Sequence, residues 1–252
     1  GVSSLFYQSP DDRTYVLLNT TRDEQYIRLE VTGYHLEYPV VYSRALEKVW
    51  EVPPHAGTFS QIESFGDAWI IKSNRGGRFY QVYRISKALG GPIQNQDLFL
   101  AGNEALDYAP DRNLDENTIG LDCFEKFCVV ERKRAGRPEL VIVDQAGKIL
   151  DVLKFSEPYY YIQVGALEPY DSNEFSFDYL SYLKPKVRYH YRLGDTTYTK
   201  VGETKIASLN MDDYLIEQQK FVVWDGTEVP VTLVMRKDTK LGPETPFFVQ
   251  TY

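Results

Sequence analysis

The sequence predicts an all-β protein, a partial β-propeller of about four four-stranded antiparallel blades followed by the first strands of a truncated α/β domain. Three observations carry that reading. Apolar residues alternate with polar ones at period two, as in Val187, Tyr189 and Tyr191 against Arg188, His190 and Arg192, which is the spacing of a sheet. A two-strand unit with a polar turn recurs along the chain. After residue 212 the repeat stops and a different pattern begins.

The recurring unit reads YVLLNTTRDEQYIRLEV from Tyr15, AWIIKSNRGGRFYQVYRIS from Ala68, FCVVERKRAGRPELVIVD from Phe127 and FSFDYLSYLKPKVRYHYRL from Phe175, with starts 53, 59 and 48 residues apart. Each copy has an apolar strand, then Asn, Arg, Gly or Pro where the chain must turn, then a second strand. Further short strands fit between copies, such as FSQIESF at 59 to 65 and VGETKIASL at 201 to 209, making about four strands per repeat. Four antiparallel strands in a period near 50 describe a propeller blade, whose faces are covered by its neighbours and can be apolar on both sides. The expected blades lie near residues 1–55, 56–103, 104–156 and 157–212. A β-sandwich is the rival, and it would space its strands evenly without the longer period.

Beyond MDDYLIEQQ at 211 to 219, FVVWDGTEVPVTLVMRKD holds two strands around Asp225-Gly226, a dipeptide whose residues tolerate the positive φ of a tight hairpin turn. The polar TKLGPETP then leads into PFFVQTY at 246 to 252, an apolar run without alternation that reads as a central strand covered on both faces. A second domain is therefore expected to begin at 213 and to be cut short at 252. With Gly1 rather than Met at the start, both ends read as cuts in a longer polypeptide.

Composition excludes several classes. Hydrophobic residues make up 43% and aromatic residues 14% of 252 residues, enough for a substantial core. The balance of 28 Lys and Arg against 36 Asp and Glu leaves a net charge of -8, which repels phosphate backbones and anionic lipid, so neither nucleic acid nor membrane is an expected partner. No run approaches the roughly 18 apolar residues of a membrane helix. The 2 cysteines do not make a disulfide scaffold, which favours a reducing, cytoplasmic setting. Cys123 and Cys128 either meet across a tight turn at Phe124 to Phe127 or are two small buried hydrophobes, and the second is the expectation. Asn19-Thr20-Thr21 is a glycosylation sequon that matters only in a secreted protein.

Other signals have plain explanations. RKRAGR at 132 to 137 falls at a hairpin tip, where solvated charges are expected. Asp107, Asp111, Asp115 and Glu116 lack the loop spacing of a calcium site, and Gly76-Gly77 and Gly90-Gly91 lack the strand-to-helix context of a nucleotide loop. No metal or cofactor is expected. Nucleophilic catalysis needs a base beside the nucleophile. The histidines are His35, His55 and His190, and there is no Gly-x-Ser-x-Gly elbow. His190 reads as a packing or surface residue and His55 as a loop residue without a partner.

These residues resemble the prolyl oligopeptidase family of serine peptidases, in which a seven-bladed propeller caps an α/β-hydrolase domain. The likeness lies in FEKFCVVERKRAGRPELVIVD, in SFDYLSYLKPKVRYHYRLGD and, most specifically, in DYLIEQQKFVVWDGTEVPVTLVMRKD followed by PFFVQTY. It runs from about Phe59 onward, and the spacing of ERKRAGRPELVIVD and DGTEVPVTLVMRKD looks closer to oligopeptidase B, which cleaves after basic residues, than to the proline-specific enzymes. The resemblance implies that 213–252 opens an α/β-hydrolase domain, that the Ser-Asp-His triad lies outside this chain, and that short peptides are the substrates. Tyr252 falls at the tyrosine the family uses as a side-chain donor in its oxyanion hole, although Gln250 and Thr251 replace the usual Tyr-Gly pair before it. A non-catalytic propeller scaffold and an esterase-like relative are the alternatives.

Overall fold

The computed structural model describes residues 5–9, 12–75, 80–89, 93, 98–100, 120–134, 137–157, 159–165, 168–195 and 197–250. Among them are eighteen strands and a single 3-10 turn at Met211–Asp213, with no α-helix. The first sheet holds β1 (Tyr15–Thr20), β2 (Tyr26–Gly33), β3 (Leu36–Ser43) and β4 (Lys48–Glu51). The second holds β5 (Ser60–Phe65), β6 (Ala68–Ser73), β7 (Gln81–Ser86) and β8 (Leu98–Leu100). In the third are β9 (Leu121–Cys123), β10 (Phe127–Arg134), β11 (Arg137–Asp144) and β12 (Ile149–Leu153). The fourth has β13 (Tyr160–Val164), β14 (Glu174–Ser181), β15 (Val187–Arg192) and β16 (Thr199–Glu203). Within each sheet the strands pair antiparallel in sequence order, the meander of a propeller blade.

A further repeat is visible only in the backbone. Each sheet carries a register shift between its third and fourth strands, at Val41/Tyr42, Val82/Tyr83, Ile142/Val143 and Arg188/Tyr189. A bulge at the same place in every blade raises the local twist of the outermost strand pair. This alignment shows that the first sequence copy is one strand out of phase. YVLLNTTRDEQYIRLEV forms β1 and β2, the first and second strands of its sheet, whereas the other three copies form the second and third.

Three apolar clusters weld neighbouring sheets face to face. Leu29, Val41 and Trp50 of the first sheet meet Ile62, Trp69 and Tyr83 of the second. Ile70 and Val82 of the second meet Leu121, Val130 and Val141 of the third. Between the third and fourth, Phe124, Phe127 and Ile142 meet Phe175, Phe177 and Tyr191. That last seam is also bridged by two hydroxyls, Tyr160 donating to the Pro138 carbonyl at 2.6 Å and Tyr191 donating to Asp151 Oδ2 at 2.9 Å. The Tyr191 phenol is raised above its ordinary value, first by burial and then by the Asp151 carboxylate that accepts its proton.

Beyond the four sheets, β17 (Tyr214–Val222) and β18 (Glu228–Arg236) make a separate two-stranded ribbon. Its turn runs through Gly226 at φ 84, and Val223 N–H donates to the Thr227 carbonyl at 2.9 Å. The ribbon begins at Tyr214, earlier than the FVVW run suggests, because Leu215 and Ile216 extend the pairing toward Met235 and Val234.

Several sequence expectations are corrected. Phe247, Phe248 and Val249 form no strand: they are exposed irregular chain, Phe248 at 93%, and among the described residues no strand pairs with them. VGETKIASL is a strand only to Glu203 and then turns, with Leu209 N–H donating to the Ile206 carbonyl at 3.3 Å. The cysteines are not free. Cys123 and Cys128 form a disulfide with Cα atoms 4.0 Å apart, so the composition argument from only two cysteines fails here. They face each other directly across β9 and β10 in a non-hydrogen-bonded pair, next to the Phe124 N–H to Phe127 carbonyl bond, where side chains approach most closely. Arg132 is no solvated tip residue either, since it is buried and bonds Glu139 directly across β10 and β11 at 2.5 Å.

Candidate functional site: a polar node joining four sheets

The turn between β1 and β2 points a cation into the molecule. Thr21 is fully buried, its hydroxyl donates to Asp23 Oδ1 at 2.6 Å, and its backbone N–H donates to the Tyr26 carbonyl at 3.1 Å. This closes TTRDEQ into a tight loop with Arg22 on its inner side. The Arg22 guanidinium donates to Asp122 Oδ1 on β9 at 2.6 Å and to the Glu168 carbonyl, between β13 and β14, at 2.8 Å. It also lies 3.9 Å from the centre of the Phe124 ring, an attractive cation-aromatic distance. The Arg22 backbone N–H donates to Glu63 Oε2 on β5 at 3.2 Å. One residue of the first sheet thus bonds the second, third and fourth.

A second cation completes the node. Arg28 on β2 donates to the Ile62 carbonyl at 2.6 Å, pairs with Glu63, and pairs with Glu30 at 3.0 Å. Burial pushes the Glu63 and Asp122 carboxyls above their ordinary values, against the downward pull of Arg28 and Arg22 respectively. Beside them Asp23 accepts a hydrogen bond from Ser64, whose hydroxyl oxygen also accepts from Lys87 Nζ at 2.6 Å, and that ammonium sits 4.8 Å from the ring centres of Tyr26 and Trp69. Burial lowers the Lys87 amine below its ordinary value.

The node can tie sheets together, and its one serine, Ser64, is held by Lys87 and Asp23 with no histidine beside it. His35 stacks edge-on with Tyr34, His55 Nδ1 is 2.9 Å from the Ala56 carbonyl, and His190 Nε2 is 3.1 Å from Glu174 Oε2. Among the described residues no serine or cysteine is bonded to a histidine ring, and no group of three or more His, Cys, Asp or Glu side chains could hold a metal. Tyr252 lies outside the described residues, as do Asp107, Asp111, Asp115, Glu116, Gly76-Gly77 and Gly90-Gly91.

Residues 3–204 match the family model described as the prolyl oligopeptidase N-terminal beta-propeller domain. The chain belongs to the prolyl oligopeptidase family. Dipeptidyl aminopeptidase BI from Pseudoxanthomonas mexicana is 24% identical over 252 residues, covering 99% of this chain and 33% of that protein. Oligopeptidase B from Trypanosoma brucei, solved in a closed form with covalently bound antipain, superposes with a TM-score of 0.77 at 19% identity, over 94% of this chain and 34% of its own. Oligopeptidase B from Leishmania major gives 0.76 at 15% identity, over 92% and 33%. The chain therefore spans about a third of the length of the relatives it matches, and the structural likeness establishes the propeller fold.

The node is not evident in the sequence, because TTRDEQ has the composition of a solvated turn. A signal was present. QIESF and LDCF each place one carboxylate in a first strand that has no other charged residue, and a buried carboxylate there needs a cation brought from elsewhere in the chain.

Proposed function

We propose that this chain is part of the propeller that gates a serine oligopeptidase, together with the opening of its catalytic domain. In this reading the division falls as the sequence suggests, with blades near 1–55, 56–103, 104–156 and 157–212, and the hydrolase domain beginning at 213. The observation that carries it is the match of 3–204 to the family's propeller, followed directly by a ribbon that leaves several apolar side chains exposed among the described residues. Trp224 is 96% exposed at the ribbon tip, and Phe221, Val222 and Val234 are exposed along it. An isolated two-stranded ribbon is marginal in water, so such side chains need a larger sheet to pack against.

The chemistry is divided accordingly. The propeller wall excludes folded proteins by steric closure and admits short peptides when the catalytic domain swings away. The triad is supplied by the part of the protein beyond this chain, and Tyr252 donates its phenol to the oxyanion of the tetrahedral intermediate. The likeness to oligopeptidase B supports cleavage after basic residues.

Two observations test the reading. The complete gene product should continue past Tyr252 into a Gly-x-Ser-x-Gly elbow about a hundred residues on. The complete protein should hydrolyse a short arginyl reporter and leave the same sequence uncut inside a folded protein. A stop codon after Tyr252, or equal cleavage of both substrates, would overturn the proposal.

A further inference from the structure

We propose that the Cys123–Cys128 disulfide is a thiol-sensitive clamp that holds the inner edge of the third sheet, and through it the Arg22 node, in place. β9 is only 3 residues long and so has few ladder bonds of its own. The disulfide pins its last residue to β10. Successive strand residues face opposite sides, so Asp122 and Phe124 flank Cys123 on the face away from the sulfurs. Those two residues are the ones that hold Arg22, by the 2.6 Å ion pair and the 3.9 Å ring contact. On the other face Leu121 and Cys123 pack into the seam with the second sheet. Loss of the clamp therefore frees both faces of one short strand at once.

The reactant is a small dithiol. Its thiolate attacks one cysteine sulfur and the S–S bond breaks to give a mixed disulfide. Its second thiol then displaces the protein sulfur, leaving a cyclic disulfide on the reagent and two thiols on the protein. Two electrons and two protons pass from reagent to protein. Both cysteines are 0% exposed, so attack proceeds through local opening of the β9 and β10 hairpin, and the rate follows the open population. In a reducing compartment the clamp is released, and in an oxidising one it is closed.

The test is hydrogen exchange read by mass spectrometry on the full chain before and after native-state dithiothreitol treatment, with alkylation to count thiols. The constraint lost with so short a loop corresponds to about a 30-fold rise in the opening equilibrium. Reduction should accelerate exchange by that order in segments 120–131 and 21–28 and leave the separate ribbon of β17 and β18 unchanged, and reoxidation should reverse it. A Cys123→Ser, Cys128→Ser double variant should exchange like the reduced chain and ignore the dithiol. If that variant does not fold, the reduced wild-type chain decides alone. Thiols that appear without faster exchange at 21–28, or no thiols formed under native conditions, would overturn the clamp.

Discussion

Replacing Arg22 with alanine removes a side chain that reaches from the first sheet to the third and fourth. The loss can be worked from its contacts. Its bonds to Asp122 at 2.6 Å and to the Glu168 carbonyl at 2.8 Å are charge-assisted and contribute about 1.5–3 kcal/mol for a charged hydrogen bond. The Phe124 ring at 3.9 Å adds about 1 kcal/mol. Asp122, only 10% exposed, is then left as a buried carboxylate without its cation. Because these terms overlap, the whole change costs about 3–5 kcal/mol, the range for breaking a buried pair from one side. Asp122→Ala costs a similar amount by stranding the guanidinium. The Arg22→Met, Asp122→Leu double variant removes both charges and fills the space, and it stays within about 1 kcal/mol of wild type. Urea unfolding followed by the fluorescence of buried Trp50 and Trp69 reads the cycle, with a midpoint shift on the order of 1 M or more for each single variant. A single-variant cost below about 0.5 kcal/mol, or a double variant no better than the singles, would refute the node as an interblade tie.

Two further outcomes come from the structure and a third from the proposed function. Phe177→Ala empties a fully buried site ringed by Phe155, Phe175, Tyr189 and Tyr198, and should cost about 3–5 kcal/mol in the same urea assay, whereas Phe248→Ala, at an exposed position, should change stability by less than about 0.5 kcal/mol. Hydrogen bonding from Arg188, joined by Lys186, holds Asp178 below the ordinary carboxylate range, so its stabilisation is complete above about pH 4 and is lost as pH falls through the lowered folded value. The difference in unfolding midpoint between wild type and Asp178→Asn should therefore close on acidification, and a difference that widens would contradict the pairing. In the complete protein Tyr252→Phe should lower kcat about 10²- to 10³-fold with little change in KM, read with a short peptide reporter.

Local patterning made the sheets legible and left their assembly hidden. Alternation in VRYHYR, the turn chemistry of Asp225-Gly226 and the recurrence of two-strand units were enough to predict antiparallel blades, since each rests on contacts between residues close in sequence. The phase error in the first copy has a physical cause: β1, β2 and β3 are all apolar enough to serve as either strand of the unit, and the bulge that fixes phase is a backbone feature. PFFVQTY reads as a strand because an apolar run specifies burial, but such a run does not supply the neighbours that would pair with it, and Phe247, Phe248 and Val249 are exposed here. The node and the disulfide were hidden for a related reason. Arg22 and Asp122 are brought together by the packing of separate sheets, and two cysteines five residues apart are compatible with either a bond or two free thiols until β9 and β10 set their register.

The position of the reactive serine decides the assignment of this chain most directly. Treating the complete protein and this chain in parallel with a serine-reactive fluorophosphonate, followed by peptide mapping, should label one serine of the complete protein beyond residue 252 and none within 1–252 of either sample. A labelled serine inside these residues, or a complete protein that takes up no label, would contradict the assignment of this chain as the propeller and opening of a serine oligopeptidase.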